Sequence, residues 1–311
     1  MGKSMRSMLL MAKAQPTIDT DPLPVVGTDA MLCRGITPSL INAEFVERSL
    51  ILPYKAAMSD FAVGVHRAFE FEIELAGSGV AGTAPKWAPL LKACGFSETI
   101  VAVTSVTYAP ITLAQPWVTL YGFLDGLKWI MLNCFGTVAF ELNAKGIPVM
   151  KFRFIGEYQQ ATDVTFPTGI VYTGFVQPKT VGKLNTPTFT FQGASLLVDQ
   201  FSVDMAAQLV YRDLIGGTQI HSPNRSPSGS MTCELPATAV KNFAEVARLG
   251  TTGAVQIIHG TVAGNIAKID VPVAQVTSAP TISNKDDIAM VQVPFQCLPN
   301  AGNDEVVLTL T

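Results

Sequence analysis

Charge is what this 311-residue chain has least of: Asp, Glu, Lys and Arg together make 14% of it, against 48% apolar residues. That is about half the charged share of an ordinary soluble domain. A surface so poor in charge favours burial, which points to an obligate assembly or a membrane protein. Long apolar runs are missing too. No stretch approaches the roughly 18–20 continuous apolar residues of a spanning helix, and an outer-membrane barrel would arrive behind a signal peptide. The N-terminal run Met8 to Ala12 is interrupted by Lys13 and is shorter than a signal h-region. We read residues 1–38 as an N-terminal arm, basic at its start, that leaves the body of the protein, with a Pro- and Gly-punctuated lead-in over 14–40. The net charge of −3 gives no global attraction for nucleic acid.

Catalytic chemistry is equally sparse. The five cysteines, Cys33, Cys94, Cys134, Cys233 and Cys297, are odd in number and lack CxxC spacing. They read as free thiols in a reducing compartment. His66, His221 and His259 stand in separate segments with no metal-ligand spacing, and His259 reads as structural at a strand end. Gly77-Ser-Gly79 and Gly82 precede a helix, yet without a Gly-Lys-Ser/Thr ending or a βαβ frame they read as a flexible loop. Ser226-Pro-Ser-Gly229 lacks the form of a nucleophile elbow. The expectation is no catalytic residue, no metal and no cofactor.

What the chain does have is an internal echo. Glu70 to Leu75, a glycine-rich break, Pro85 and the helix-like Trp87, Leu90, Leu91 ending at Gly95 are followed by Val118–Gly122 and the turn Asp125-Gly126. Gly229 to Leu235, Pro236 and the helix-like Val240, Phe243, Val246, Leu249 ending at Gly250 are followed by Val255–Gly260 and the turn Gly264-Asn265. Gly146–Phe154 closes the first set and Asp287–Phe295 the second. Strand, helix, hairpin and strand occur twice in that order, with little residue identity. The reading is a tandem duplication of one mainly β unit with one helix per copy. It places a first β domain at 39–160, a Thr/Pro/Gly-rich linker at 161–187 and a second β domain at 188–311. Pro85 is expected in the first turn of the earlier helix, and Thr238 is the candidate N-cap of the later one. Leu50–Tyr54 is expected to form a strand. Residues 100–117 form an insertion without a counterpart in the second copy.

One strand separates its faces cleanly. Glu70, Glu72 and Glu74 alternate with Phe69, Phe71, Ile73 and Leu75, which puts three carboxylates on one side and the apolar groups on the other. Such a face is either an ordinary solvent face or the lining of something that must repel phosphate.

Several segments, in order, resemble the major tail tube proteins of long-tailed, siphovirus-like bacteriophages: Gly82 to Phe96, the turn at Asp125-Gly126, Phe135 to Leu142, Gly146 to Gly156 and Pro299 to Glu305. The resemblance covers 60–160 well and 185–311 more loosely, and leaves out the first 40 residues. It implies β-sandwich units whose strands continue into a barrel around a lumen, rings stacked head to tail, and DNA passing through without sequence-specific binding. With two units per chain, it implies trimeric, pseudo-hexameric rings. The tail terminator, the distal tail or baseplate proteins and the tape measure protein are then the partners, and the protein is made in the host bacterial cytoplasm and resides in the virion tail. Glu70, Glu72 and Glu74 become possible lumen-lining residues, and the arm and the insertion become candidates for reaching neighbouring subunits. The alternatives are a tail terminator or capsid decoration protein, or a β-sandwich binding module.

Overall fold

The computed structural model describes residues 2–311. The first half comprises β1 (Met8–Gln15), α1 (Val26–Asp29), β2 (Ala30–Met31), β3 (Arg34–Pro38), β4 (Asn42–Glu47), β5 (Asp60–Glu74) and α2 (Ala88–Ala93). It continues with β6 (Phe96–Val101), β7 (Ser105–Pro110), β8 (Trp117–Leu124), β9 (Leu127–Asn143), β10 (Val149–Tyr158) and β11 (Thr162–Asp163). The second half comprises β12 (Thr188–Phe191), β13 (Ala194–Ser195), β14 (Val198–Asp204), β15 (Val210–Leu214), β16 (Gly217–His221) and β17 (Ser228–Glu234). After it come α3 (Phe243–Leu249), β18 (Thr252–His259), β19 (Ala267–Val276), β20 (Thr281–Lys285), β21 (Ile288–Leu298) and β22 (Val307–Leu310). The protein is mainly β.

The expected arm does not leave the body. All eight residues of β1 pair antiparallel with β8, and Leu9, Leu10, Met11 and Ala12 are buried. Leu10 and Ala12 enter the main core while Leu9 and Met11 pack in a second cluster with Tyr121 and Phe123. A strand covered on both faces reads as a continuous apolar run, which is why Met8–Ala12 shows no alternation. The connector also packs, since Phe166, Ile170 and Tyr172 lie against that second cluster.

Pairing follows the same order in both halves. In the first it runs β3 and β4, then β5, β10, β9, β8 and β1. In the second it runs β14, β17, β21, β19, β18 and β12. One departure has a visible cause. Where β9 is a single strand, its place in the second half is shared by β19 and β20, which pair with successive stretches of β21 on either side of a break containing Pro280. Proline cannot donate to a ladder, so the strand stops there. The halves are joined twice, by β9 with β14 and by β7 with β22. The insertion is therefore a β6–β7 hairpin that ties the C-terminal strand to the first half.

Phe69, Phe71 and Ile73 of β5 pack with Val138, Phe140, Phe152 and Phe154 in a core continuous with Phe201, Met231, Val293 and Phe295 of the second half. Each helix covers its own half, α2 through Leu90 and Leu91 and α3 through Phe243 and Val246. Both helix starts differ from expectation. Pro85 only closes the preceding turn, its carbonyl accepting from the Ala88 N–H, and Pro89 occupies the first turn of α2. Asn242 rather than Thr238 caps α3, its side chain accepting from the Glu245 N–H, so Val240 lies before the helix and is exposed. Gly95 and Gly250 follow their helices at positive φ, as C-terminal glycines do. Leu50–Tyr54 is not a strand but the exposed connection of the β4–β5 hairpin.

Candidate functional site

The alternation along β5 places Glu70, Glu72 and Glu74 together on the face opposite the core. What the alternation could not show is what stands beside them. Antiparallel register sets Lys151 opposite Glu72 and Arg153 opposite Glu70. Lys151 Nζ lies 2.7 Å from Glu141 and 4.0 Å from Glu72, Arg34 Nε 3.0 Å from Glu72, and Arg153 Nε 3.5 Å from Glu70. Cross-strand opposite charges of this kind support the register. With Thr37, Thr137 and Asp204, the residues Glu70, Glu72, Glu141, Lys151 and Arg153 line an open concavity of about 590 Å³. Glu70, Glu72 and Glu141 are thus each paired with a cation, whereas Glu74 and Asp204 have no ion pair among the described residues.

In the second half the same face is mostly hydroxyl and amide, with carboxylates at Asp204 of β14 and Glu234 of β17. Ser202 lies opposite Ser230, Gln200 opposite Thr232, and Gln292 donates to Ser230 Oγ at 3.3 Å. Sheet pairing through β9 and β14 makes one surface of the two, with Ser202 opposite Glu141 and Asp204 opposite Ala139. The far end of this face, at Ala68, Phe135 and Ile155, is apolar and is covered by the β15–β16 hairpin through Tyr211 and Ile220.

Two of the sheet's open edges correspond to strands that are paired inside the chain. β3 occupies on β5 the place that β14 occupies on β17: Thr37 faces Glu70 and Pro38 faces Phe69, as Ser202 faces Ser230 and Val203 faces Gly229. β20 occupies on β21 the place of the end of β9 on β10: Ile282 faces Val291 as Phe140 faces Met150. Inside the chain, the end of β9 and β14 pair with each other. Among the described residues neither β3 nor β20 has a strand on its outer side.

Groups that might have carried catalysis lie elsewhere and are otherwise engaged. His259 is buried, with Nδ1 2.9 Å from Thr186 Oγ1, and burial lowers its pKa against the opposing Lys179 backbone bond. His66 stacks on Tyr211. Burial pushes the Cys233 thiol up to about 11, with Glu234 adding to the shift, and the Cys297 thiol up to about 12, with Glu305 adding, so both are neutral near pH 7. All five cysteines are unpaired, and the described residues hold no cluster of metal-ligating side chains. The glycine loop is pinned rather than flexible. Gly77 N–H donates to Asn265 Oδ1 at 2.8 Å and Gly79 N–H to Gly264 O at 2.9 Å. A Cβ on Gly77 would stand 2.1 Å from that same carbonyl oxygen, so these glycines serve a close contact between the halves. Among the described residues no helix is long and apolar enough to cross a membrane.

None of the curated proteins compared with this chain matches it. Residues 16–297 match the profile of a family described as Phage tail tube protein, reaching further into the lead-in than the resemblance did and ending before Pro299–Glu305. The match takes in most of the strands that build the sheet, and this chain belongs to the phage tail tube protein family.

Proposed function

We propose that the two halves are two copies of one tube unit, at 39–160 and 188–311, and that three chains close a pseudo-sixfold ring by pairing β20 of each with β3 of the next. The observation that carries this reading is the β9–β14 junction, a worked example within the chain of the contact that the open sides of β3 and β20 would make. Exposure supports it. Ile282 is 69% exposed, whereas Phe140, which holds the corresponding register position, is fully buried. Closing the ring covers the open sides of β3 and β20, which otherwise invite uncontrolled pairing. The scarcity of charge then follows from the amount of surface that becomes interface.

In this reading the polar face of the sheet lines the lumen. Its cations Arg34, Lys151 and Arg153 are already paired with carboxylates and much of the remainder is hydroxyl and amide, so it offers a phosphate backbone no free cationic track. DNA passes without sequence-specific contact, and the protein acts as a structural rather than catalytic component of the virion tail. Rings stack head to tail between a terminator and the distal tail proteins, with the tape measure protein in the lumen before DNA. A sheathless, siphovirus-like tail suits threefold rings best. Electron microscopy of the purified chain, averaged down the tube axis, tests this. Stacked rings with threefold modulation of a six-lobed outline are expected, and compact monomers at all concentrations would overturn the reading.

A further inference from the structure

The β9–β14 seam differs at its two ends. At one end the β15–β16 hairpin crosses Phe135 and Ile155 and carries its turn outward, with Leu214 55% and Ile215 108% exposed. Tips of surface loops are ordinarily small and polar, so an aliphatic pair there needs a partner. At the other end is an open cavity of about 750 Å³ walled by Leu142, Val181, Phe189, Leu197, Val198 and Ile257. Leu142 is next to the last residue of β9. The hairpin instead reaches Glu157, to which Thr218 Oγ1 donates at 3.2 Å and which pairs with Leu132 near the start of β9. The ten residues of strand between Leu132 and Leu142 span about 33 Å. A knob and a hole this far apart cannot meet within one chain.

Between chains they can. An apolar projection complementary to an apolar pocket elsewhere on the same molecule makes a heterologous contact that extends without closing. The tip and the cavity also belong to one seam, so each seam supplies one knob and one hole. We propose that Leu214 and Ile215 of one copy seat in the cavity beside Leu142, Val198 and Ile257 of a copy in the adjacent ring, which makes this contact the determinant of ring stacking. The inference rests on the tube reading above and adds to it which surfaces meet.

Both sides can be altered at exposed positions, because Leu197 on the cavity rim is 72% exposed. In the full-length chain, Ile215→Asp and Leu197→Asp should each leave rings intact and shorten tubes at least tenfold at equal protein concentration, read by electron microscopy and sedimentation. Tubes of unchanged length from Ile215→Asp would overturn the proposal. A double variant, Ile215→Cys with Leu197→Cys, should form a covalent ladder of chains on oxidation. Four of the five native cysteines are buried, which keeps the background low. A ladder from Ile51→Cys with Leu197→Cys, and none from Ile215→Cys, would overturn it by assigning the cavity to the β4–β5 hairpin. Wild-type chains that form no rings at all would overturn this inference and the tube reading together.

Discussion

Asn133 shows how much a single polar residue can hold in this sheet. It sits within β9 at positive φ, a conformation that Asn tolerates better than most residues. Its backbone N–H donates to Gln15 Oε1 at 2.9 Å, its amide donates to Asp19 at 2.6 Å, and its side-chain oxygen accepts from Gln15. Asn133→Ala would take away one of the two acceptors of the buried Gln15 amide, which keeps Thr17 O, and the side-chain partner of Asp19, and would add backbone strain, for an expected loss of about 2–4 kcal/mol in urea unfolding. A loss under about 0.5 kcal/mol would show that the network is dispensable. The glutamates of β5 lie at the opposite extreme. The ion pairs of Glu70 and Glu72 are partly exposed and each is worth about 0–1 kcal/mol at most, so lysines at Glu70, Glu72 and Glu74 should leave the fold intact. If they line the lumen, the reversal should slow DNA release from particles in a salt-sensitive way. Unchanged ejection kinetics at low salt would remove them from the lumen. Their shared face was legible in the sequence because strand alternation is local. Their cations were not, because Arg34, Lys151 and Arg153 come from other strands whose register only the sheet defines.

Among the elements, β1 is the least foreseeable from the chain and among the most deeply buried. An apolar run of five residues is compatible with an arm, a helix turn or a strand, and only the open edge of β8 selects the strand. Leu10→Ala should therefore destabilise the whole protein by about 2–4 kcal/mol in denaturant melts, as expected of a core leucine. A frayed arm would lose less than about 0.5 kcal/mol on the same change. The helices were easier to read, since Gly95 and Gly250 mark where they stop. Their starts were misplaced because proline and threonine are also ordinary turn formers, and Pro89 and Asn242 competed for the same roles.

At the scale of the molecule, one sheet runs through both halves, and β3 and β20 each keep one side without a partner strand among the described residues. The corresponding contact inside the chain makes the open edges interpretable. Ile282→Lys alters an exposed side chain, so the monomer should fold with an unchanged melting temperature while rings fail to form in sedimentation and microscopy. In the ring that position would bury an ammonium group without a partner. Ile282→Val should assemble normally. Rings of normal size from Ile282→Lys would exclude the β20 edge from the interface.

The β class, the two faces of β5 and the order of elements in each half were legible along the chain. Each of these follows from periodicity, punctuation or composition, which are properties of neighbouring residues. Only the fold shows that β1 is a core strand, that Glu70 and Glu72 are paired with cations, that the glycine loop is a contact between halves, and that β9 meets β14 while β3 and β20 remain open. Backbone donors and acceptors are the same in every strand, so which edges meet is settled by side chains far apart in the chain packing into one core.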